Sequence, residues 1–199
     1  MNNRIFKCLI LFVAAFIIGC EDEVPKTLFT IVPSTASGLD FNNQLTENDS
    51  INILDNEFVY NGAGVALGDV NGDGLDDIFL SGNQVQNRLY LNLGGLQFQD
   101  ISKTAKIQKN DSLQWSSGVT IIDINLDGKQ DIYVCNTFRK DSTQRKNLLY
   151  INEGNDENGI PTFAEKAKAY GLDDNSYSSH AQFFDYDMDG DLDVFIGVN

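Results

Sequence analysis

Asp69-Val70-Asn71-Gly72-Asp73-Gly74-Leu75-Asp76-Asp77 is a nine-residue text that returns twice in this chain. The second copy is Asp123-Ile124-Asn125-Leu126-Asp127-Gly128-Lys129-Gln130-Asp131, and the third is Asp185-Tyr186-Asp187-Met188-Asp189-Gly190-Asp191-Leu192-Asp193. The first Asp recurs after 54 residues (69 to 123) and then after 62 (123 to 185). Apolar runs flank each copy. Gly64-Val65-Ala66-Leu67, Gly118-Val119-Thr120-Ile121 and Ala181-Gln182-Phe183-Phe184 lead in; Ile78-Phe79-Leu80, Ile132-Tyr133-Val134 and Val194-Phe195-Ile196 lead out.

The repeat extends beyond the loops. Asn87-Arg88-Leu89-Tyr90-Leu91-Asn92 matches Asn147-Leu148-Leu149-Tyr150-Ile151-Asn152, and the Phe98 run matches the Phe163 run. A vestige with Phe29, Ala36, Gly38 and Leu39 precedes the first copy and predicts one more Phe-containing strand there. The runs are short, rich in Val, Ile, Phe and Tyr, and bounded by Gly, Asn or Asp, which are strand signals. Thr162 to Tyr170, the best helical stretch, reads as a strand followed by a short turn. Four strands per unit, repeated at this period, describe blades of a β-propeller. The predicted fold is therefore all-β: four-stranded antiparallel blades over residues 27–199, in an incomplete ring of about three.

The loops carry the chemistry. Asp at position 1, Asp or Asn at 3, Asp at 5, Gly at 6 and Asp at 9 can wrap one hard cation, with position 7 offering its backbone carbonyl. Ca2+ takes about 6 to 8 oxygen ligands in a flexible shell. Gly at 6 permits the sharp turn. The predicted ligands are Asp69, Asn71, Asp73, the Leu75 carbonyl and Asp77; then Asp123, Asn125, Asp127, the Lys129 carbonyl and Asp131; then Asp185, Asp187, Asp189, the Asp191 carbonyl and Asp193. Turn chemistry alone also favours Asp and Gly. Three copies in register, each crowding carboxylates that repel one another without a cation, favour about three Ca2+ sites. Mg2+ fits less well, because it keeps its waters and demands a rigid octahedron. An EF-hand needs Glu at position 12 and flanking helices. Position 12 here is Leu80, Val134 and Ile196.

The stretch Asn61 to Ile78, with Gly62, Gly64, Gly68 and the first loop, resembles the FG-GAP repeat of integrin alpha-subunit propellers and the related VCBS repeats of bacterial surface proteins. The Leu-Tyr-x-Asn and Phe strands resemble the cartilage acidic protein group and its bacterial relatives with an ASPIC/UnbV domain. The resemblance implies that each loop joins the first two strands of a blade and that Ca2+ stiffens the turn. The second and third copies depart from the FG-GAP text ahead of the loop, while keeping the ligand set.

Composition agrees. The chain has 199 residues, 29 Asp+Glu against 14 Lys+Arg and a net charge of −15. That acidity argues against nucleic acid, whose phosphates demand Lys and Arg, and against electrostatic attachment to anionic lipid. Eleven of the acidic residues fall at the proposed loop positions, so the charge is largely a cation requirement.

Residues 1–19 read as a signal peptide: Arg4 and Lys7, then an apolar run from Cys8 to Ile18, too short for a relaxed span of about 20 residues. Ile17-Ile18-Gly19-Cys20 resembles a bacterial lipobox, which implies lipidation of Cys20. Residues 20–26 form an acidic tether, and Glu21-Asp22-Glu23 resembles the surface-export signal of Bacteroidetes lipoproteins. The expected location is the bacterial cell envelope, lipid-anchored to the outer membrane and surface-exposed. Cys135 is left in an apolar run as a buried small hydrophobe.

Two full repeats and the front half of a third suggest a truncated piece of a longer propeller, with self-association as the alternative. The predicted function is a non-enzymatic scaffold that binds a protein or a glycan and touches membrane only through its lipid anchor. The alternative is a polysaccharide-handling enzyme or an accessory subunit of a nutrient-uptake assembly. Ser178, Ser179, His180 and Asp185 invite a triad reading, but triads are recognised by geometry and Asp185 belongs to the third loop. Tyr60, Trp115 and Tyr177 precede the three units at matching positions, and packing between blades is favoured over a glycan platform.

Overall fold

The computed structural model describes residues 28–107 and 114–199. The signal segment, the tether and the lipidation site at Cys20 lie outside the described residues. No helix among the described residues is long and apolar enough to cross a membrane.

Among the described residues, ten strands fall in the compact unit Pro33–Asn199. The first blade is β1 (Val65–Gly68), β2 (Asp77–Leu80), β3 (Arg88–Asn92) and β4 (Phe98–Asp100). The second is β5 (Trp115–Ile122), β6 (Asp131–Thr137), β7 (Leu148–Asn155) and β8 (Pro161–Glu165). In each, chain order is spatial order and all pairings are antiparallel. A hairpin of β9 (Ser178–Phe184) and β10 (Asp193–Val198) repeats the front half of the unit. The architecture is all-β, with sheets of four antiparallel strands consistent with propeller blades, in an incomplete ring.

Register follows the repeat. Ile78 pairs with Tyr90, as Ile132 pairs with Tyr150, and Asn92 faces Phe98 as Asn152 faces Phe163. In β6 every residue from Asp131 to Asn136 is buried, because the strand is covered on both faces. Ile132 and Val134 join a core with Phe79, Leu89 and Val119 between the first two blades. Tyr133 and Cys135 point the other way, into a core with Leu149, Ala181 and Phe183 against the hairpin. In β2 only alternate residues are buried, the pattern of a sheet covered on one face.

Glycine sets the spacing between blades. A Cβ on Gly64 would lie 2.5 Å from the Ser117 carbonyl oxygen, and one on Gly118 would lie 2.5 Å from that of Ser179. The first strands of neighbouring sheets, the inner strands β1, β5 and β9, thus approach at their starts until only hydrogen fits. His180 occupies the equivalent place in the third copy and is exposed.

One expectation is corrected. Phe29 lies in no strand: residues 28–32 carry none. In both blades the Phe strand pairs with its own Leu-Tyr-x-Asn strand. The later half of that vestige does match, as a helical turn α1 (Ser34–Ser37) closed by Gly38 at φ 78°. The turn after β8 is likewise one turn of helix, α2 (Ala167–Tyr170), closed by Gly171 at φ 71°.

Candidate metal loops

All three Asp-rich loops join the first strand of a sheet to the second, at the same end of each. Their backbones share one plan. Position 4 is left-handed in every copy, at Gly72 (φ 78°), Leu126 (58°) and Met188 (61°). Position 6 is left-handed too, at Gly74 (87°), Gly128 (85°) and Gly190 (95°). Glycine at 6 was legible in the sequence; the left-handed turn at 4 was not, because two of its three occupants carry a side chain.

The position-1 carboxylate organises the turn. Asp69 accepts from the N–H of Gly72 at 2.7 Å, Asp73 at 3.0 Å and Gly74 at 2.8 Å. Asp123 accepts from Asp127 at 3.0 Å and Gly128 at 2.8 Å; Asp185 accepts from Asp189 and Gly190, both at 3.1 Å. The position-5 carboxylate accepts from the N–H of position 7: Asp73 from Leu75, Asp127 from Lys129, Asp189 from Asp191. Asn71 and Asn125 each accept from the N–H two residues on, at 3.1 Å.

Position 9 closes the loop and ties it to the sheet. Asp77, fully buried, accepts from Val70 N–H at 3.0 Å with one oxygen and from Asn92 N–H at 2.8 Å with the other. Asp131 does the same with Ile124 at 3.1 Å and Asn152 at 2.7 Å. Asp193 accepts from Tyr186 at 2.8 Å. Burial is the dominant influence on Asp77 and pushes its carboxyl up to about 6, against the two N–H bonds, which pull it down. Burial raises Asp131 in the same way.

The Asn that ends the Leu-Tyr-x-Asn strand is therefore part of the loop, a role the sequence reading missed. Asn92 donates its amide to the Asp76 carbonyl at 2.9 Å; Asn152 donates to Gln130 at 3.1 Å and, across the blade boundary, to Val70 at 2.8 Å. Recurrence of this Asn in both copies was the available signal.

The donor set fits a hard cation, since every side chain offered is a carboxylate or carboxamide oxygen. In the third loop the carboxylates of Asp185, Asp187 and Asp193 offer oxygens that all lie within 4.8 Å of one another, so this triad can hold a metal. The Asp189 charge pushes the Asp191 carboxyl up, the mark of uncompensated acids. The second loop has a cation of its own: Lys129 Nζ lies 2.8 Å from Asp127 Oδ2.

The opposite ends of the same inner strands border a cleft of about 250 Å³, lined by Phe58, Trp115, Phe138, Tyr177, Ser179 and Asn199 among others. Trp115 is buried and stacks on Phe138 at 4.2 Å; its packing partners are that ring and the 45–59 segment, with Ile51 and Val59, and not a second blade. Tyr60 and Tyr177 are exposed. Ser178, Ser179 and His180 do not form a relay. The Ser178 hydroxyl donates to Asp174 at 3.1 Å, Ser179 donates to the Gly197 carbonyl at 3.0 Å, and the His180 ring meets Gln182.

Residues 69–134 match the model of a family described as FG-GAP-like repeat. That span begins at the first Asp of the first loop and reaches into β6, taking in the second loop. No curated protein matches the chain.

Proposed function

We propose that the chain is a calcium-stabilised, non-enzymatic binding scaffold, carried to the bacterial cell surface and anchored to the outer membrane through a lipid on Cys20. The observation that carries this reading is the division of labour between the two ends of the inner strands. The acidic loops lie at one end and the aromatic cleft at the other. The match to FG-GAP-like repeats, which typically serve binding scaffolds, supports it.

Bound Ca2+ would neutralise the crowded carboxylates and cross-link positions 1, 3, 5 and 9 of each loop. Asp69, Asn71, Asp73 and Asp77 would hold it in the first, with the Leu75 carbonyl. Asp123, Asn125, Asp127 and Asp131 would serve in the second, with the Lys129 carbonyl. Asp185, Asp187, Asp189 and Asp193 would serve in the third, with the Asp191 carbonyl. Asp77 and Asp131 pass that rigidity to β3 and β7 through Asn92 and Asn152. A fixed blade frame then presents Phe58 and Tyr177 to a protein or glycan partner without a large ordering cost on binding.

A glycan array probed with the calcium-loaded chain, alongside Phe58→Ala and Tyr177→Ala variants, tests the ligand face. Binding that weakens in both variants supports it. Polysaccharide turnover that is abolished by His180→Ala would replace the scaffold with an enzyme.

A further inference from the structure

The three loops share a backbone and differ in charge. Over their nine residues the formal charge is −4 in the first, −2 in the second and −5 in the third. Much of that difference sits at position 7, which is Leu75, Lys129 and Asp191 in turn.

In the first two loops the position-7 side chain lies over a glycine of the neighbouring strand end. A Cβ on Gly94 would lie 4.0 Å from Leu75 Cδ1, and one on Gly154 would lie 3.7 Å from Lys129 Cε. These glycines are equivalent, each two residues past the Asn that caps position 9, so the Leu75 side chain and the Lys129 stem rest in the same slot. From there the ammonium turns back onto its own loop and donates to Asp127 Oδ2 at 2.8 Å. Asn125 Nδ2 approaches the same oxygen at 3.3 Å. The Asp127 carboxyl is held below the usual carboxylate range, first by that Lys129 hydrogen bond.

We propose that Lys129 is a tethered cation that competes with metal for Asp127, making the second loop the last of the three to fill. This rests on the reading that the loops take Ca2+. Affinity in such loops rises with ligand charge, and the second loop has the smallest negative charge. Its position-5 carboxylate must also release an ammonium before it can serve the metal. Both partners of the pair are partly exposed, at 43% and 33%. Solvent screens the pair itself, so its release costs only a few-fold in affinity; repulsion between the ammonium and a doubly charged ion in the same loop brings the expected scale to about tenfold. The second loop joins β5 to β6 within the second blade, so its filling is a separate, later step in stiffening that blade.

Calorimetric titration of the full chain with calcium chloride tests this. The wild type should show a final binding phase about tenfold weaker than the rest. Lys129→Met keeps the stem in its slot and removes the charge; it should tighten that phase about tenfold, and Lys129→Glu should tighten it further. Asp127→Asn should abolish the same phase, which assigns it to the second loop. The proposal is overturned if Lys129→Met and Lys129→Glu leave every phase unchanged, or if Asp127→Asn removes a tight phase instead. Absence of binding in all proteins would overturn the calcium reading and this proposal together, whereas three equal sites would overturn this proposal alone.

Discussion

The backbone N–H of Asn152 donates to the buried carboxylate of Asp131 at 2.7 Å, across 21 residues of sequence. This bond joins the end of the second Asp-rich loop to the third strand of its blade, and Asn92 to Asp77 repeats it at 2.8 Å in the first. The loop is thus an integral part of the sheet, and anything bound in it bears on the stability of the whole blade.

Asn152→Ala removes the amide that serves the Val70 and Gln130 carbonyls and the oxygen that accepts from Gly154 N–H. Asn152 is 2% exposed, so the stranded backbone groups have no easy access to water. The expected loss is about 1–3 kcal/mol, read by urea denaturation of the metal-free chain. A loss below about 0.5 kcal/mol, the range of ordinary surface changes, would contradict the role given to this Asn.

Gly118→Ala places a methyl 2.5 Å from the Ser179 carbonyl oxygen and 2.9 Å from His180 Cα, atoms of a backbone that cannot step aside. Overpacking of this kind costs about 1–3 kcal/mol. Gly197→Ala is the control, since its nearest contact would be 3.4 Å, to the Ser179 hydroxyl. Equal stabilities for the two variants would refute the close approach of the inner strands.

Acid dependence follows from Asp77. Its carboxyl lies at about 6 in the folded, metal-free chain against an ordinary value of 3.8, so the native state keeps a proton that the unfolded state has released. Stability from this group is complete below 3.8 and declines as pH rises through about 6. Asp131 is raised too and acts in the same direction. The denaturation midpoint in EDTA should therefore fall between pH 4 and 6, whereas saturating calcium, which favours the carboxylate, should oppose the fall. A midpoint in EDTA that rises over that window would contradict the burial account of these two acids.

Cys135 is fully buried, and burial pushes its thiol up to about 12. With Cys8 and Cys20 replaced by Ser, Ellman's reagent should label Cys135 only as the chain unfolds. Rapid labelling of the folded protein would place the residue outside the core between the second blade and the hairpin.

The legible part of this molecule was local. Residue types spaced through nine positions revealed the loops, and recurring Val, Ile, Tyr and Phe runs revealed the strands that carry them. Less legible were features that depend on distant partners. Asn92 and Asn152 stood out as repeated letters, yet their bonds to Asp77 and Asp131 span the β2–β3 and β6–β7 connections. For Lys129 the sequence shows only the carbonyl role, because nothing local reveals a stem resting over Gly154 and an ammonium returning to Asp127. Phe29 carries the letters of a strand yet lies in none, whereas Phe98 and Phe163 pair with Asn92 and Asn152.

Calcium-dependent melting tests the central claim most directly. A ligand that binds only the folded state at 100 times its dissociation constant contributes about 2.7 kcal/mol. For a domain of this size each kcal/mol moves the melting temperature by about 2–4 °C. The account predicts that calcium raises the melting temperature by at least about 5 °C over EDTA, with a smaller rise for Asp69→Ala. Identical melting temperatures with and without calcium, in both proteins, would contradict it.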